Sequence, residues 1–547
     1  MQHNSQTISK HPKIIMMTGG VLSGLGKGIT LSSIGFFFSE HQKVVPIKLD
    51  GYLNSDPGTM NPHEHGEVFV LEDGFEVDMD FGHYERFLGV SATKNQSLTM
   101  GRVFENIKKK ERRGDFLGKT VQMIPHVTNY IQEYLLNLAQ EKEADVLLVE
   151  IGGTIGDIEN DLFVESLRQL EHKVGQDNFL SIHLTYVPIP FGVKEQKSKP
   201  TQQSISLLQN RGIWPQIIIG RCSEELQEQT KEKIALFSSI NSSDVFTAPD
   251  MDSVYKLPNY FYTNKLISTI ANKLNLQIGH LEKLSVWNQL MIEDLSEKQI
   301  KVLIAGKYTD LEDSYASIVE SLKHCEKWFK TAIEIDFQDT TNGVEHINAK
   351  EFDAIIVPGG FGSRGVEGKI EIIKQARENN IPYLGICYGL QLAVIEFARN
   401  VCGITNASSI EIDEKTKEPV ITLLNEQKQV VTMGGTMRLG SYSAILKESK
   451  LLPLYKELNL LQQNNIIHER HRHRYEVNPN YTQILEKHGL KITARSQERD
   501  LVECIELENH PYFIGAQSHP ELKSKLEQPA PLFYGLIKAA IKIKSEK

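Results

Sequence analysis

Short apolar runs at residues 13–19, 43–49, 145–151, 180–187 and 215–220 alternate with long helical patterns such as 121–142 and 158–174. Strands separated by helices pair in parallel, because each crossover helix packs back on the sheet it has just left. The second half repeats this logic: a strand at 300–306, a helix near 314–331, a strand at 354–357 and a glycine-rich loop at 359–368. A helix near 370–379, a strand at 382–386 and a helix at 389–401 follow. Between 275 and 298 the pattern turns polar and mixed. The expected fold is α/β, with two parallel-sheet domains at 1–275 and 299–547 and a linker at 276–298.

Composition narrows the function. Sixty Lys+Arg against 70 Asp+Glu leave a net charge of −10 on 547 residues, which argues against a dedicated binder of nucleic acid or anionic membranes. Residues 1–12 are polar, and no apolar run reaches the roughly 18 residues of a membrane span. Cys222, Cys325, Cys387, Cys402 and Cys504 are scattered and form no C-x-x-C pair, so neither a disulfide framework nor a zinc site is expected. A reducing, cytoplasmic setting follows.

The turn after the first strand reads Thr18-Gly19-Gly20-Val21-Leu22-Ser23-Gly24-Leu25-Gly26-Lys27-Gly28. N–H groups at a helix N-terminus cradle phosphates, and a Lys there reaches the terminal one. Against the usual phosphate-loop pattern, Val21 replaces the first Gly and Gly28 follows the Lys, leaving no adjacent hydroxyl for a magnesium ion. Carboxylates from elsewhere must then hold the metal. Glu150 ends an apolar strand just ahead of Gly152-Gly153-Thr154, where ligands gather in open parallel sheets. Glu76, Asp78 and Asp80 alternate before Phe81-Gly82-His83-Tyr84-Glu85-Arg86, and Asp157 and Glu159 begin a later helix. The stretch Lys194-Glu195-Gln196-Lys197-Ser198-Lys199-Pro200-Thr201-Gln202 is expected as a loop, with Pro200 opposing an early helix and the lysines suited to a polyphosphate. The basic run 108–113 is expected as an exposed helix end or a subunit contact.

A second chemistry stands in the other half. Gly385-Ile386-Cys387-Tyr388-Gly389 has the G-x-C-x-G form of a nucleophile elbow, where a sharp strand-to-helix turn exposes the central side chain beside an oxyanion donor. His519-Pro520-Glu521 supplies a base and its orienting carboxylate two residues apart. Val357-Pro358-Gly359-Gly360-Phe361-Gly362 ends a strand in a loop able to complete an oxyanion hole. The run Glu469-Arg470-His471-Arg472-His473-Arg474-Tyr475 reads either as recognition of an anion or carboxylate or as a charged surface.

P-G-G-F-G, G-I-C-x-G-x-Q and H-P-E in this order resemble the class I glutamine amidotransferase domain. Joined behind the altered phosphate loop, they resemble the CTP synthase family over nearly the whole chain. The matching stretches include Lys48-Leu49-Asp50, Asp56-Pro57-Gly58-Thr59-Met60, His65-Gly66-Glu67-Val68, Glu150-Ile151-Gly152-Gly153-Thr154 and Gly434-Gly435-Thr436-Met437-Arg438. Gly51 stands where the family usually has Pro, and Ser518 where it often has an aromatic. K-E-Q-K-S-K replaces the common G-E-Q-K-T-K.

The resemblance implies an N-terminal P-loop domain of the dethiobiotin-synthetase type and a flavodoxin-like C-terminal domain. It implies a glutamine-hydrolysing ligase that makes CTP from UTP, ATP and L-glutamine with Mg2+, activated by GTP, inhibited by CTP and assembled as a homotetramer. Carried over residue by residue, ATP falls on Gly24, Leu25, Gly26, Lys27, Gly28, Ile29, Lys48 and Asp80, with Lys27 at the transferred phosphate, and the metal falls on Asp80 and Glu150. UTP and CTP fall on Ser23, Gln122, Asp157, Ile158, Glu159, Lys197, Ser198, Lys199, Pro200, Thr201, Gln202 and Lys233. Cys387 becomes the nucleophile, His519 the base and Glu521 its orienter, with glutamine held by Gly360, Tyr388, Gly389, Leu390, Gln391, Glu411 and Arg474. Residues 434–440 fall on the lid near the GTP site. Two other readings remain at this point: a different P-loop amidoligase, and a nucleotide-gated assembly protein.

Overall fold

The computed structural model describes residues 11–60, 66–292, 296–307, 312–341, 347–423 and 437–546. They fall into two compact units, one drawn from Met1–Asp56 and His83–Met291, the other from Pro57–Gly82 and Ile292–Lys547.

In the first unit, a seven-stranded sheet runs in the order Ser97–Thr99, Val44–Asp50, Val146–Ile151, Lys13–Gly20, Phe179–Tyr186, Ile217–Cys222 and Val245–Pro249 among the described residues. Every pairing is parallel. Helices cover both faces, and Val146–Ile151 is buried at every position, which is why it reads as an unbroken apolar run. The phosphate loop leaves the central strand Lys13–Gly20, whose two neighbours carry the acidic loop and the lysine-rich segment at the same end.

The lysine-rich segment is not a loop throughout. A helix spans Lys199–Asn210 with Pro200 in its first turn, where a missing N–H costs nothing because that donor has no intrahelical partner. The expected helix at 121–142 is likewise divided, its regular part being Thr128–Glu141. The stretch expected as linker holds the helix Leu281–Leu290. Its Trp287 is fully buried, with ring centroids 4.9 Å from Phe36 and 5.2 Å from Phe87.

The second unit is built on a nine-stranded sheet. Thr331–Asp339, Ser296–Gly306, Ala354–Val357, Tyr383–Ile386 and Phe513–Ala516 run parallel. Val502–Leu507, Leu490–Ser496, Arg438–Leu446 and Ile466–His473 extend that sheet antiparallel, so it is mixed rather than parallel throughout. Within the antiparallel part, Leu490–Ser496, Val502–Leu507 and Phe513–Ala516 follow one another through short connections, while the helices Leu451–Glu457 and Pro479–Lys487 interrupt the rest. Pro57–Gly82 carries a hairpin of Val68–Val70 and Glu76–Asp78 that packs in this unit, although the sequence assigned it to the first domain.

Candidate functional site

The strand Tyr383–Ile386 turns into the helix Tyr388–Asn400 through Cys387, whose φ of 50° and ψ of −97° are unusual for a residue with a Cβ. Such a turn holds the thiol at the helix N-terminus. The helix comes close because Gly389 has no side chain: a Cβ there would lie 2.1 Å from the Val357 carbonyl oxygen.

His519 follows the strand Phe513–Ala516, and its backbone N–H donates to the Arg470 carbonyl at 2.7 Å. Its Nδ1 lies 2.6 Å from Glu521 Oε1. A Cβ placed on Gly359 would stand 3.6 Å from His519 Nε2 and 3.8 Å from Cys387 Cβ, so base and nucleophile share the space beside that glycine. Burial alone would lower the His519 pKa, but the Glu521 carboxylate and Cys387 outweigh it and raise it to about 10. At neutral pH the imidazole therefore holds its proton and faces the sulfur as a cation. Gln517, which sequence reasoning missed, places Nε2 3.8 Å from the Cys387 sulfur and Oε1 3.4 Å from Gln391 Nε2. Its i, i+2 relation to His519 in an extended segment was the available signal.

The glycine loop is clasped from two sides. Tyr388 donates its hydroxyl proton to Gly362 O at 2.6 Å, and the Gly362 N–H donates to Glu411 Oε1 at 2.7 Å. Burial raises the Glu411 pKa, opposed by that N–H and by the charges of Lys307 and Arg474. Glu411 and Arg474 thus set opposite charges near one another beside the loop. Gly360 lines a cavity of about 240 Å³ with Cys387, His519 and Glu521. Leu390 and Gln391 are buried, with Gln391 donating to the Tyr475 carbonyl at 3.0 Å. The same cavity is lined by Gly58, Thr59, Met60 and Glu67.

The Arg-His run is carboxylate recognition turned inward. Arg470 donates to Glu72 at 3.0 Å and Arg472 to Glu76 at 2.7 Å, both on the hairpin of Pro57–Gly82. His471 and His473 are buried and hold each other at 3.0 Å. Of the expected lid, residues 434–436 lie outside the described residues, as does His65; Arg438 opens the strand Arg438–Leu446 and is buried between Glu476 and Glu503 at 3.2 and 2.8 Å.

Replacing Glu521 by Gln removes a charge that raises the His519 pKa. The alkaline limb of the thiol-dependent reaction, set where His519 loses its proton at about 10, is expected to move toward neutral pH by roughly 1–3 units. A pH profile of kcat checks this, and identical limbs in both proteins would refute the assignment of Glu521.

In the first unit, Lys27 opens the helix Lys27–Phe36 behind Gly24 and Gly26, whose φ values of 74° and 82° suit glycine. Lys27 Nζ donates to the Gly153 carbonyl at 2.8 Å, and the Ile155 N–H donates to the Gly19 carbonyl at 2.8 Å, so the loop after Glu150 is bound to the phosphate loop. Glu150 is buried, accepts from the Tyr84 hydroxyl and stands in register with buried Lys48 on the neighbouring strand. Gly24, Leu25, Gly26 and Ile29 line a cavity of about 150 Å³ with Arg221, Pro249, Met251 and Leu257. Asp80 starts the helix Asp80–Leu88, one turn before Tyr84.

The other expected contacts are partly gathered. Ser23 and Gly28 flank the loop, Ser23 exposed and Gly28 buried. Asp157 accepts from the Thr154 N–H and hydroxyl at 2.8 and 2.7 Å, with Ile158 and Glu159 exposed beside it. Lys197 pairs with Glu195 at 2.6 Å, and the charge of Lys233 also reaches Glu195. Ser198 accepts from Gln202 Nε2 at 3.1 Å, while Thr201 is fully buried. Gln122 is exposed, and its N–H donates to His126 at 3.0 Å rather than to any of these.

Residues 13–276 match the family model of the CTP synthase N-terminus, and residues 310–539 that of class-I glutamine amidotransferase. A CTP synthase of Borreliella afzelii is 49% identical over 540 residues, covering 98% of this chain and 100% of that protein. One from Archaeoglobus fulgidus is 46% identical over 541 residues, covering 98% and 99%. Among solved structures, the Trypanosoma brucei CTPS glutaminase domain with bound acivicin is 36% identical, with a TM-score of 0.40, over 44% of this chain and 94% of that one. The chain belongs to the CTP synthase family of glutamine-hydrolysing ligases.

Proposed function

We propose that the chain converts UTP, ATP, glutamine and water into CTP, ADP, phosphate and glutamate. The observation that carries the reading is the presence in one chain of a Cys387, His519 and Glu521 constellation and of a phosphate loop whose Lys27 is bound beside Glu150.

In the glutaminase half, the Cys387 thiolate attacks the glutamine carboxamide carbon, and N–H groups of the Gly360 loop and of Tyr388 receive the oxyanion. His519 gives its proton to the departing ammonia, leaving a thioester on Cys387. Water then attacks that thioester with His519 as base, releasing glutamate. Arg474 and Glu411, opposite in charge and close together, suit the α-carboxylate and α-ammonium of the substrate. Gly389, Leu390 and Gln391 frame the pocket through the backbone and the Gln517 bond.

In the synthase half, Lys27 stabilises the phosphate passing from ATP to the uracil 4-oxygen, with Lys48 nearby. Ammonia then attacks C4 and expels phosphate. Buried Glu150 is a hard oxygen donor at a strand end, as a magnesium ion requires. That fits Mg2+, which keeps one or two carboxylates and takes its other ligands from phosphates and water. Asp80 and Glu150 are its proposed ligands, and the ion supplies neutralisation of the polyphosphate charge.

UTP, and CTP as an inhibitor, are assigned to Ser23, Gln122, Asp157, Ile158, Glu159, Lys233 and the first turn and approach of the helix Lys199–Asn210. GTP as activator, a homotetramer and a cytoplasmic address belong to the same reading. Domain roles follow, with 1–275 as synthase and 299–547 as glutaminase.

The test is CTP formation from UTP and Mg2+-ATP with ammonium chloride and with glutamine in parallel. Both should produce CTP, and GTP should stimulate the glutamine reaction alone. No CTP from either nitrogen source would sink the reading. Light scattering with and without UTP plus ATP is expected to give the mass of four chains.

A further inference from the structure

His183, in the strand Phe179–Tyr186, is fully buried and takes no part in the chemistry above. Its two ring nitrogens bridge two elements that the reaction must hold in register. Nδ1 lies 2.8 Å from the Thr18 hydroxyl, at the end of the strand that delivers the phosphate loop. Nε2 lies 2.8 Å from the Ser204 hydroxyl, on the helix Lys199–Asn210. All three side chains are buried, with Thr18 and His183 at 0% exposure and Ser204 at 3%, so water does not substitute for either bond.

A second rung reinforces the first. Thr185, two residues on and on the same face of the strand, donates to the Thr201 hydroxyl at 3.3 Å, and Thr201 donates to the Tyr186 carbonyl at 2.9 Å. Gly20 fits against this bridge only because it lacks a side chain: a Cβ there would lie 1.7 Å from Ser204 Oγ and 2.6 Å from His183 Nε2. Burial, with a smaller contribution from the charge of Lys27, lowers the His183 pKa to about 3. The ring is therefore neutral at working pH and offers one donor and one acceptor, matching a hydroxyl on each side.

We propose that His183 is a positioning residue that locks the helix bearing Lys199 and Gln202 to the strand bearing the phosphate loop, so that the phosphate donor and its pyrimidine acceptor are held in one register. Resting on the functional reading above, this deepens it: Thr18, His183 and Ser204 set the distance between two nucleotides without touching either. Phosphoryl transfer needs its reacting atoms near attack distance, and a misplacement of about 1 Å costs on the order of 100-fold.

The test compares wild type, His183→Phe, His183→Gln and Ser204→Ala in ammonia-driven CTP formation, with KM for ATP and for UTP, glutamine hydrolysis and thermal melting. His183→Phe is expected to lower kcat about tenfold or more and to raise both KM values, leaving glutamine hydrolysis within about twofold. Ser204→Ala should show a smaller loss of the same kind. His183→Gln, whose amide reaches from the Nε2 position toward Ser204, should recover part of it. Unchanged kcat and KM in His183→Phe and Ser204→Ala overturn the inference, as does a change confined to one nucleotide or an equal loss of glutamine hydrolysis. If His183→Phe does not fold, Ser204→Ala decides by the same criteria. A wild type that makes no CTP sinks the functional reading and this inference with it, whereas an active wild type with unaltered variants sinks the inference alone.

Discussion

Cys387→Ala is expected to lose glutamine-driven CTP formation by at least about 10⁴-fold while ammonium chloride still supports CTP formation near the wild-type rate. The loss is large because the thioester forms on the Cys387 sulfur itself, whose neighbours Gln517 and the Arg472 carbonyl, at 3.8 and 3.7 Å, cannot take its place. The ammonia rate is spared because attack by Cys387 serves only to release ammonia from glutamine. Parallel assays with the two nitrogen sources measure both numbers. Full glutamine activity in the variant would remove Cys387 from the mechanism, and an equal loss with ammonia would mean that the substitution damages the fold.

Lys27→Ala is expected to show the opposite pattern. CTP formation should fall by roughly 10²–10³-fold or more with either nitrogen source, since a cation aimed at developing charge in a water-poor site contributes several kcal/mol to the barrier. Its ammonium is placed by the helix start and by the Gly153 carbonyl at 2.8 Å, on a buried stem. Glutamine hydrolysis should persist at its unstimulated rate. Coupled ADP release and glutamate release, measured separately, distinguish the two half-reactions. If Lys27→Ala kept its ADP release, the phosphate loop would be serving only to bind.

These two sites were legible because each is local. The turn around Cys387 needs small residues at 385 and 389, and the backbone shows why: a Cβ on Gly389 would strike Val357 O. Glycines crowded ahead of Lys27 gave the other site away for a different reason, the positive φ at Gly24 and Gly26. What stayed hidden depends on partners far along the chain. Arg470 and Arg472 read either as anion or carboxylate recognition or as a charged surface, yet their carboxylates are Glu72 and Glu76, some 400 residues earlier, and no local pattern announces such pairs. Pro200 argued for a loop, but in the first turn of Lys199–Asn210 proline is at home. The antiparallel edge of the second sheet escaped because Arg438–Leu446 pairs with Leu490–Ser496, more than 40 residues later, and no local pattern marks such a neighbour.

The conformation of Cys387 has a consequence for how this fold tolerates change. A non-glycine residue held at φ 50° and ψ −97° carries strain of about 1–3 kcal/mol that the surrounding strand and helix must overrule. Glycine at 387 would relax that strain and stabilise the domain while ending its glutaminase chemistry. Selection for thermal robustness alone would therefore drift toward an inert scaffold at this position, and the thiol persists only where turnover, not durability, is what is being selected.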